Sequence, residues 1–289
     1  MSILENRVKT ISKEMINGTL PDQKVGKSVS AIRHKFIFIS SQGGIGKSSV
    51  VASLALTFST KGLTVGLMDL NFHSPDIRKM LGLETAAVSD SNIPLMPTPY
   101  SDRLKVASIE SMVADKGESG IWDRPLKISD IQRFISSVNW GRLDYLLIDT
   151  PPGPGQKVLA VIRGMPEAKK IIVTAPNKIP GDRAREMIRF FKNEDIPIFG
   201  WIENMRGFFC QHCGQRQELF STGSGSRAVF LMDIPFLGRI PIDPDLSQCL
   251  DAGEPFMEKH PDSQAAEAYN LIAEKIIEET QWETPSGQH

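Results

Sequence analysis

The feature that most constrains this chain is a glycine loop set between a strand and a helix. Lys35-Phe36-Ile37-Phe38-Ile39-Ser40 is a short apolar run bounded by a glycine turn, which reads as a buried parallel strand. From Lys47 to Thr60 the apolar residues Val50, Val51, Leu54, Ala55 and Phe58 recur at helical spacing, and Lys61-Gly62 closes the segment. Between them lies Gln42-Gly43-Gly44-Ile45-Gly46-Lys47-Ser48-Ser49. A strand end followed by glycines, with Lys-Ser at the helix start, turns backbone N–H groups inward around an anion. This is a phosphate loop for ATP or ADP, with Lys47 expected on the β- and γ-phosphates and the Ser48 hydroxyl on Mg²⁺. A plain glycine-rich turn is the weaker alternative, because strand and helix are both in place.

Strands and helices continue to alternate. Thr64 to Asp69, Tyr145 to Asp149, Ile171 to Thr174 and Ile196 to Ile202 read as further strands, and Gln264 to Thr280 as a terminal helix with Ala268, Leu271, Ile272, Ile276 and Ile277 apolar. Alternation of this kind predicts an α/β fold, a doubly wound and mostly parallel sheet with helices on both faces. Residues 1–30 read as a loosely attached extension, residues 31–289 as a single nucleotide-binding domain, and Glu84 to Pro99 as the longest loop.

Charge and composition remove several function classes. Lys plus Arg number 33 against 34 Asp plus Glu, so no basic field attracts nucleic acid or anionic lipid. No run of 18 apolar residues and no secretory leader occurs, so no membrane role and a cytoplasmic location are expected. The three cysteines, at positions 210, 213 and 249, are too few for a disulfide framework.

Asp69 and Asp149 each end a predicted strand, at the sheet edge where ligands bind. Asp69 is the candidate for orienting an attacking water or the metal's water shell, which makes Lys47 and Asp69 the expected catalytic pair. Asp149, in Ile148-Asp149-Thr150-Pro151-Pro152-Gly153, is expected beside Mg²⁺. Cys210-Gln211-His212-Cys213-Gly214 supplies two thiolates, half of a zinc or iron–sulfur ligand set. The missing half can come from the same pair on a second subunit. A zinc knuckle using His212 and a dithiol redox pair share the same spacing. Cys249 has no sequence partner and reads as a small core residue.

The double glycine before Ile45 resembles the deviant Walker A loop of the MinD, ParA and Mrp group. The likeness extends through Trp140 to Tyr145, Ile202-Glu203-Asn204-Met205, the cysteine pair, Ile240 to Pro244, Asp251 to Phe256 and Pro261-Asp262-Ser263. In that order these motifs resemble the Mrp/ApbC branch of the MinD-type P-loop ATPases, regarded as iron–sulfur cluster carriers. The resemblance implies a homodimer, a four-iron, four-sulfur cluster bridged by Cys210 and Cys213 of both subunits, an adenine contact near Asn204 and apo iron–sulfur proteins as acceptors. Departures from the pattern bear on turnover. Gln42 stands where the group has a lysine that reaches the partner's ATP, Asn71 replaces a common aspartate, and Pro154 and Gln156 replace the Thr and Asp of P-P-G-T-G-D. Weak ATP hydrolysis, or a heterodimer with a related ATPase that supplies the lysine, is therefore expected. The competing readings are a nucleotide-switched regulatory or scaffold protein with structural zinc or no metal, and a positioning ATPase of the ParA or MinD kind.

Overall fold

The computed structural model describes residues 28–72, 74–83, 94–112, 127–210, 213–218, 229 and 232–281. Strands β1 (Ile32–Ser40), β2 (Val65–Asp69), β3 (Thr98–Pro99), β4 (Leu104–Ser108), β5 (Leu143–Asp149), β6 (Lys169–Thr174), β7 (Gly200–Glu203) and β10 (Phe236–Arg239) form one sheet. Their order is β10-β7-β6-β1-β5-β2-β4-β3. Every neighbouring pair is parallel except β3 with β4. A separate hairpin pairs β8 (Phe208–Phe209) with β9 (Arg216–Gln217).

The helices are α1 (Lys47–Thr60), α2 (Ile77–Met80), α3 (Ile128–Ser137), α4 (Gln156–Gly164), α5 (Lys178–Asn193), α6 (Pro244–Ala252), α7 (Phe256–Lys259) and α8 (Gln264–Gln281). Side chains alternate along β1 and divide the core in two. Phe36 and Phe38 join a cluster with Phe58 of α1, Leu250 of α6, Phe256 of α7 and Tyr269 of α8. Ile37 and Ile39 join one with Phe134 of α3, Val161 of α4 and Phe191 of α5. Helices therefore cover both faces, which is the doubly wound arrangement expected from the alternation of elements. Burial on both faces also explains why the β1 segment reads as a continuous apolar run.

The topology fixes where a ligand can bind. After β1 the chain crosses β5 to reach β2, while after β6 it turns the other way to β7. β1 and β6 are neighbours, so a crevice opens between the carboxyl ends of strands that lead in opposite directions. The glycine loop fills the β1 side of that crevice. Among the described residues, no helix is long and apolar enough to cross a membrane.

Four expectations shift. The fifth predicted strand starts at Gly200, not Ile196: Ile196 N–H closes the end of α5 on Phe191 O at 2.9 Å, and Pro197 has no N–H to give a ladder. The stretch from Glu84 to Pro99 is not loop throughout: Leu95 bridges Val138 and Thr98–Pro99 forms the edge strand β3, while 84–93 lie outside the described residues. The buried face of α8 runs through Ala265, Tyr269, Ile272, Ala273, Ile276 and Thr280. Leu271 is thus left 59% exposed, and Ala268 is only half-buried. Finally, the expected extension is tied down at its end. Val29 is fully buried and Ser28 Oγ donates to Ile135 O at 3.0 Å, whereas residues 1–27 lie outside the described residues.

Candidate functional site

Three strands deliver the residues of the phosphate loop. β1 ends at Ser40 and releases the loop from Ser41 to Gly46, in which Gly44 and Gly46 take φ of 76° and 74°. That left-handed backbone is open to glycine at little cost. A Cβ at Gly46 would also lie 2.4 Å from Asn204 Nδ2. Asn204 follows β7 and donates to Ile45 O at 2.9 Å, so the third strand braces the loop. Gly153 N–H donates to Ser40 O at 2.8 Å and closes the loop from the β5 side.

The charged groups converge beneath it. Lys47, at the start of α1, is 6% exposed and its ammonium is held by the Asp149 carboxylate and the Thr150 carbonyl. An ammonium has three N–H donors, so one stays available to a phosphate oxygen. Ser48 Oγ donates to Asp149 Oδ2 at 2.6 Å. Asp69 and Asp149 are register partners at the ends of β2 and β5, and both are fully buried. Burial first, and then the Asp149 charge, push the Asp69 carboxyl well above its ordinary value of 3.8. Its Oδ1 accepts from Asn71 N–H at 2.9 Å, and its Oδ2 has no hydrogen-bond partner. Ser48, Asp149 and Asp69 together form a hard-oxygen donor set suited to Mg²⁺.

The structure brings Lys47, Ser48, Asp69, Asp149 and Asn204 to one edge of the sheet, with Gly43 to Gly46 over them. Gln42 sits at the rim, where its Oε1 accepts from Arg183 Nη1 of α5 at 3.0 Å. Ser41 Oγ donates to Pro180 O of the same helix at 3.2 Å. Sequence reading missed Arg183 because a contact spanning 141 positions leaves no local trace. A cavity of about 690 Å³ adjoins the loop, lined by Phe72, Ser129, Pro152, Gln156 and Lys157, with Lys157 Nζ 3.7 Å from the centre of the Phe72 ring.

The cysteines lie on the other structure, the β8–β9 hairpin. Cys210 is half-buried and Cys213 exposed. Gly214 N–H donates to Cys210 O at 2.8 Å, Cys210 N–H donates to Gln215 O at 3.0 Å, and Gly214 takes φ of 68°. The turn thus holds both thiols at the hairpin tip. His212 lies outside the described residues. Among the described residues no group of three or more His, Cys, Asp or Glu side chains is gathered as a metal site. Cys249 is buried in the α6 core, as its lack of a sequence partner suggests.

The family model of the ParA type described as "NUBPL iron-transfer P-loop NTPase" matches residues 31–277. An iron-sulfur cluster carrier protein from Methanocaldococcus jannaschii is 36% identical over 261 residues, 90% of this chain and 89% of that protein. A cytosolic Fe-S cluster assembly factor of Saccharomyces cerevisiae is 34% identical, over 89% of this chain and 92% of that protein. Among solved structures, the nucleotide-binding protein from Archaeoglobus fulgidus in complex with ADP is similar with a TM-score of 0.67 at 32% identity, covering 84% of this chain and 96% of that one. The MinD cell division protein of Aquifex aeolicus gives a TM-score of 0.63 at 20% identity, covering 88% of this chain and 100% of that one, and it speaks to the fold alone.

Proposed function

The chain belongs to the NUBPL iron-transfer P-loop NTPase family, and on that premise we propose that it is an ATP-binding carrier that assembles an iron–sulfur cluster and passes it to apo-proteins. The observation that carries this reading is the span of the family match, residues 31–277, which includes both the phosphate loop and the cysteine hairpin. A zinc knuckle or a dithiol pair would have no reason to travel with this loop.

The cluster is cargo held by Cys210 and Cys213. A four-iron, four-sulfur cluster takes four thiolates, and the hairpin of one chain offers two. Two copies meeting across a two-fold axis complete the set and shield the cluster edge. A related ATPase in place of the second copy satisfies the same count. Thiolate ligands on an exposed turn suit a cargo that must leave, because an incoming thiolate can reach the iron.

ATP or ADP binds under Gly43 to Ser49, with Lys47 on the terminal phosphates and Ser48 with Asp149 at Mg²⁺. Mg²⁺ would be held by Ser48 and Asp149 and would supply charge neutralisation. Asp69 is the group placed to hold a proton or a water there. Hydrolysis is weak, because the uncharged Gln42 replaces a cation at the loop rim. The yeast relative is named a cytosolic Fe-S cluster assembly factor, which supports reading this chain as cytoplasmic with apo iron–sulfur proteins as its acceptors.

Anaerobic reconstitution tests the reading directly. About two iron atoms per chain, with broad visible absorbance and transfer to an apo-acceptor faster than release to solvent, is the expected result. Purified protein that holds stoichiometric zinc, resists iron and activates no acceptor would overturn it in favour of a regulatory or structural role.

A further inference from the structure

A chain of charged side chains joins the two sites. Glu203, the last residue of β7, is fully buried, and its carboxylate lies 3.0 Å from Arg239 Nε and 3.7 Å from Arg206 Nη1. Arg206 Nε lies 3.2 Å from Glu218 Oε2, and Glu218 Oε1 lies 2.9 Å from Arg216 Nη2. Arg216 belongs to β9, so the sequence Glu203, Arg206, Glu218, Arg216 runs from the sheet edge into the cysteine hairpin. The two residues that follow its inner end touch the phosphate loop. Asn204 bonds Ile45 O, and Met205 stands 3.4 Å from where a Cβ on Gly46 would be.

Two features mark residues 204–207 as a joint rather than a rigid strut. Met205 takes φ of 60°, a left-handed conformation that a non-glycine residue keeps only when its surroundings impose it. Arg206 is nearly buried, at 13% side-chain exposure, yet Nε and Nη1 face their carboxylates without an aligned hydrogen bond. A buried guanidinium in that condition gains from any small shift that aligns it with either partner. Gly207 follows with φ of 77°, and a Cβ there would lie 2.9 Å from Arg216 Nε, so the hairpin packs directly on the joint.

We propose that Arg206 and Glu218 are positioning residues that tie the phosphate loop to the cysteine pair, so that what the loop binds changes how firmly Cys210 and Cys213 hold their cluster. Movement of Asn204 with the loop swings Arg206 between Glu203 and Glu218. The second of these carries β9 and the turn with it. The proposal rests on the carrier reading given above. It requires no new ligand, only that one buried cation has two carboxylates to choose between.

The experiment uses full-length protein loaded with cluster and follows cluster loss to a ferrous chelator, with and without Mg-ATP. Wild type should show a rate that depends on nucleotide. Glu218→Gln and Arg206→Gln should each shrink that dependence by about 2- to 30-fold, the range open to residues that transmit coupling between sites. The double variant should be no worse than Arg206→Gln, because both cut one link. Iron content and ATP affinity should be unchanged in Glu218→Gln, which distinguishes lost coupling from a damaged site. Arg206→Lys keeps the charge beside Glu203 and covers the case in which Arg206→Gln fails to fold; it should retain part of the nucleotide effect. An unchanged nucleotide effect in Glu218→Gln would overturn the proposal. So would a cluster-loaded wild type indifferent to nucleotide, although the carrier reading would survive that result. A wild type that accepts no cluster would instead remove the carrier reading itself.

Discussion

The phosphate loop is assembled by three strands of the main sheet, whereas the cysteine turn hangs from two strands of two residues each outside it. In the first, Lys47, Asp69 and Asp149 are buried and each is bonded within the chain, with only Asp69 Oδ2 left over. In the second, one thiol is exposed and the described residues supply no third ligand. Rigid burial suits a ligand that is gripped through many backbone donors at once. An open, half-complete set suits a cargo that arrives and leaves, and under the proposed function a second subunit would supply the missing thiolates. The contrast yields predictions that either separate the two regions or collapse them into one.

The largest effect is expected at the hairpin. Cys210→Ser or Cys213→Ser should take iron after anaerobic reconstitution from about two atoms per chain to none, and should remove cluster-dependent dimer formation. Cys249→Ser should keep both, since that residue packs in α6. Iron analysis with size-exclusion chromatography reads the outcome. If Cys249→Ser loses iron as fully as the hairpin variants, the hairpin is not the site.

Next comes Lys47→Ala. Loss of a charge-assisted hydrogen bond to phosphate should weaken Mg-ADP binding by about 10- to 100-fold in isothermal titration. Iron loading of the hairpin should persist. Equal affinity in variant and wild type would show that the ammonium stays with Asp149 and never serves the phosphate.

The loop was legible in sequence because its chemistry is local. Glycines, Lys47 and Ser48 fall within one turn, and β1 and α1 declare themselves by apolar spacing. Asp69 and Asp149 could be read because each terminates its strand. What could not be read lies in side-chain pairs distant along the chain. Gln42 with Arg183, and Arg206 with Glu218, depend on how helices and turns settle on the sheet. The edge strands were missed for a different reason: β3 is two residues long, and β10, Phe236-Leu237-Gly238-Arg239, is too short to show a period. The C-x-x-C turn and its half-complete ligand set were both visible, because three cysteines can be counted in sequence, whereas the β8–β9 hairpin that carries the pair is too short to show a period.

A smaller effect concerns the loop rim. Gln42→Lys should raise ATP turnover of the dimer, yet the new ammonium would face the Arg183 guanidinium that now bonds Gln42. Like charges at that distance limit the gain to about two- to tenfold, far below the roughly 10³-fold of a well-placed arginine finger. Gln42→Lys with Arg183→Gln should exceed the single change. Steady-state rates that rank the double variant below Gln42→Lys would assign Arg183 a helpful role instead of a repulsive one.

The smallest effect is a slope, and it asks whether the buried loop site carries a cost that the open hairpin does not. Burial, and then the charge of Asp149, hold the Asp69 carboxyl well above 3.8, while in the unfolded chain it returns to that value. Between the two values the folded state keeps a proton that the unfolded state has released. Stability from this group is therefore full below the unfolded value and is lost as pH rises through the folded one. Nucleotide-free protein should accordingly resist urea better at pH 5 than at pH 7. Asp69→Asn cannot lose that proton, so its profile should be flatter and its midpoint at pH 7 at least as high as wild type. The same substitution should slow ATP hydrolysis, which gives the stored cost a use: a carboxyl kept poised at the phosphate edge by a neighbour of like charge. Parallel urea profiles for the two proteins between pH 5 and pH 7 would mean that Asp69 is already ionised in the fold, and its place in proton handling would go with it.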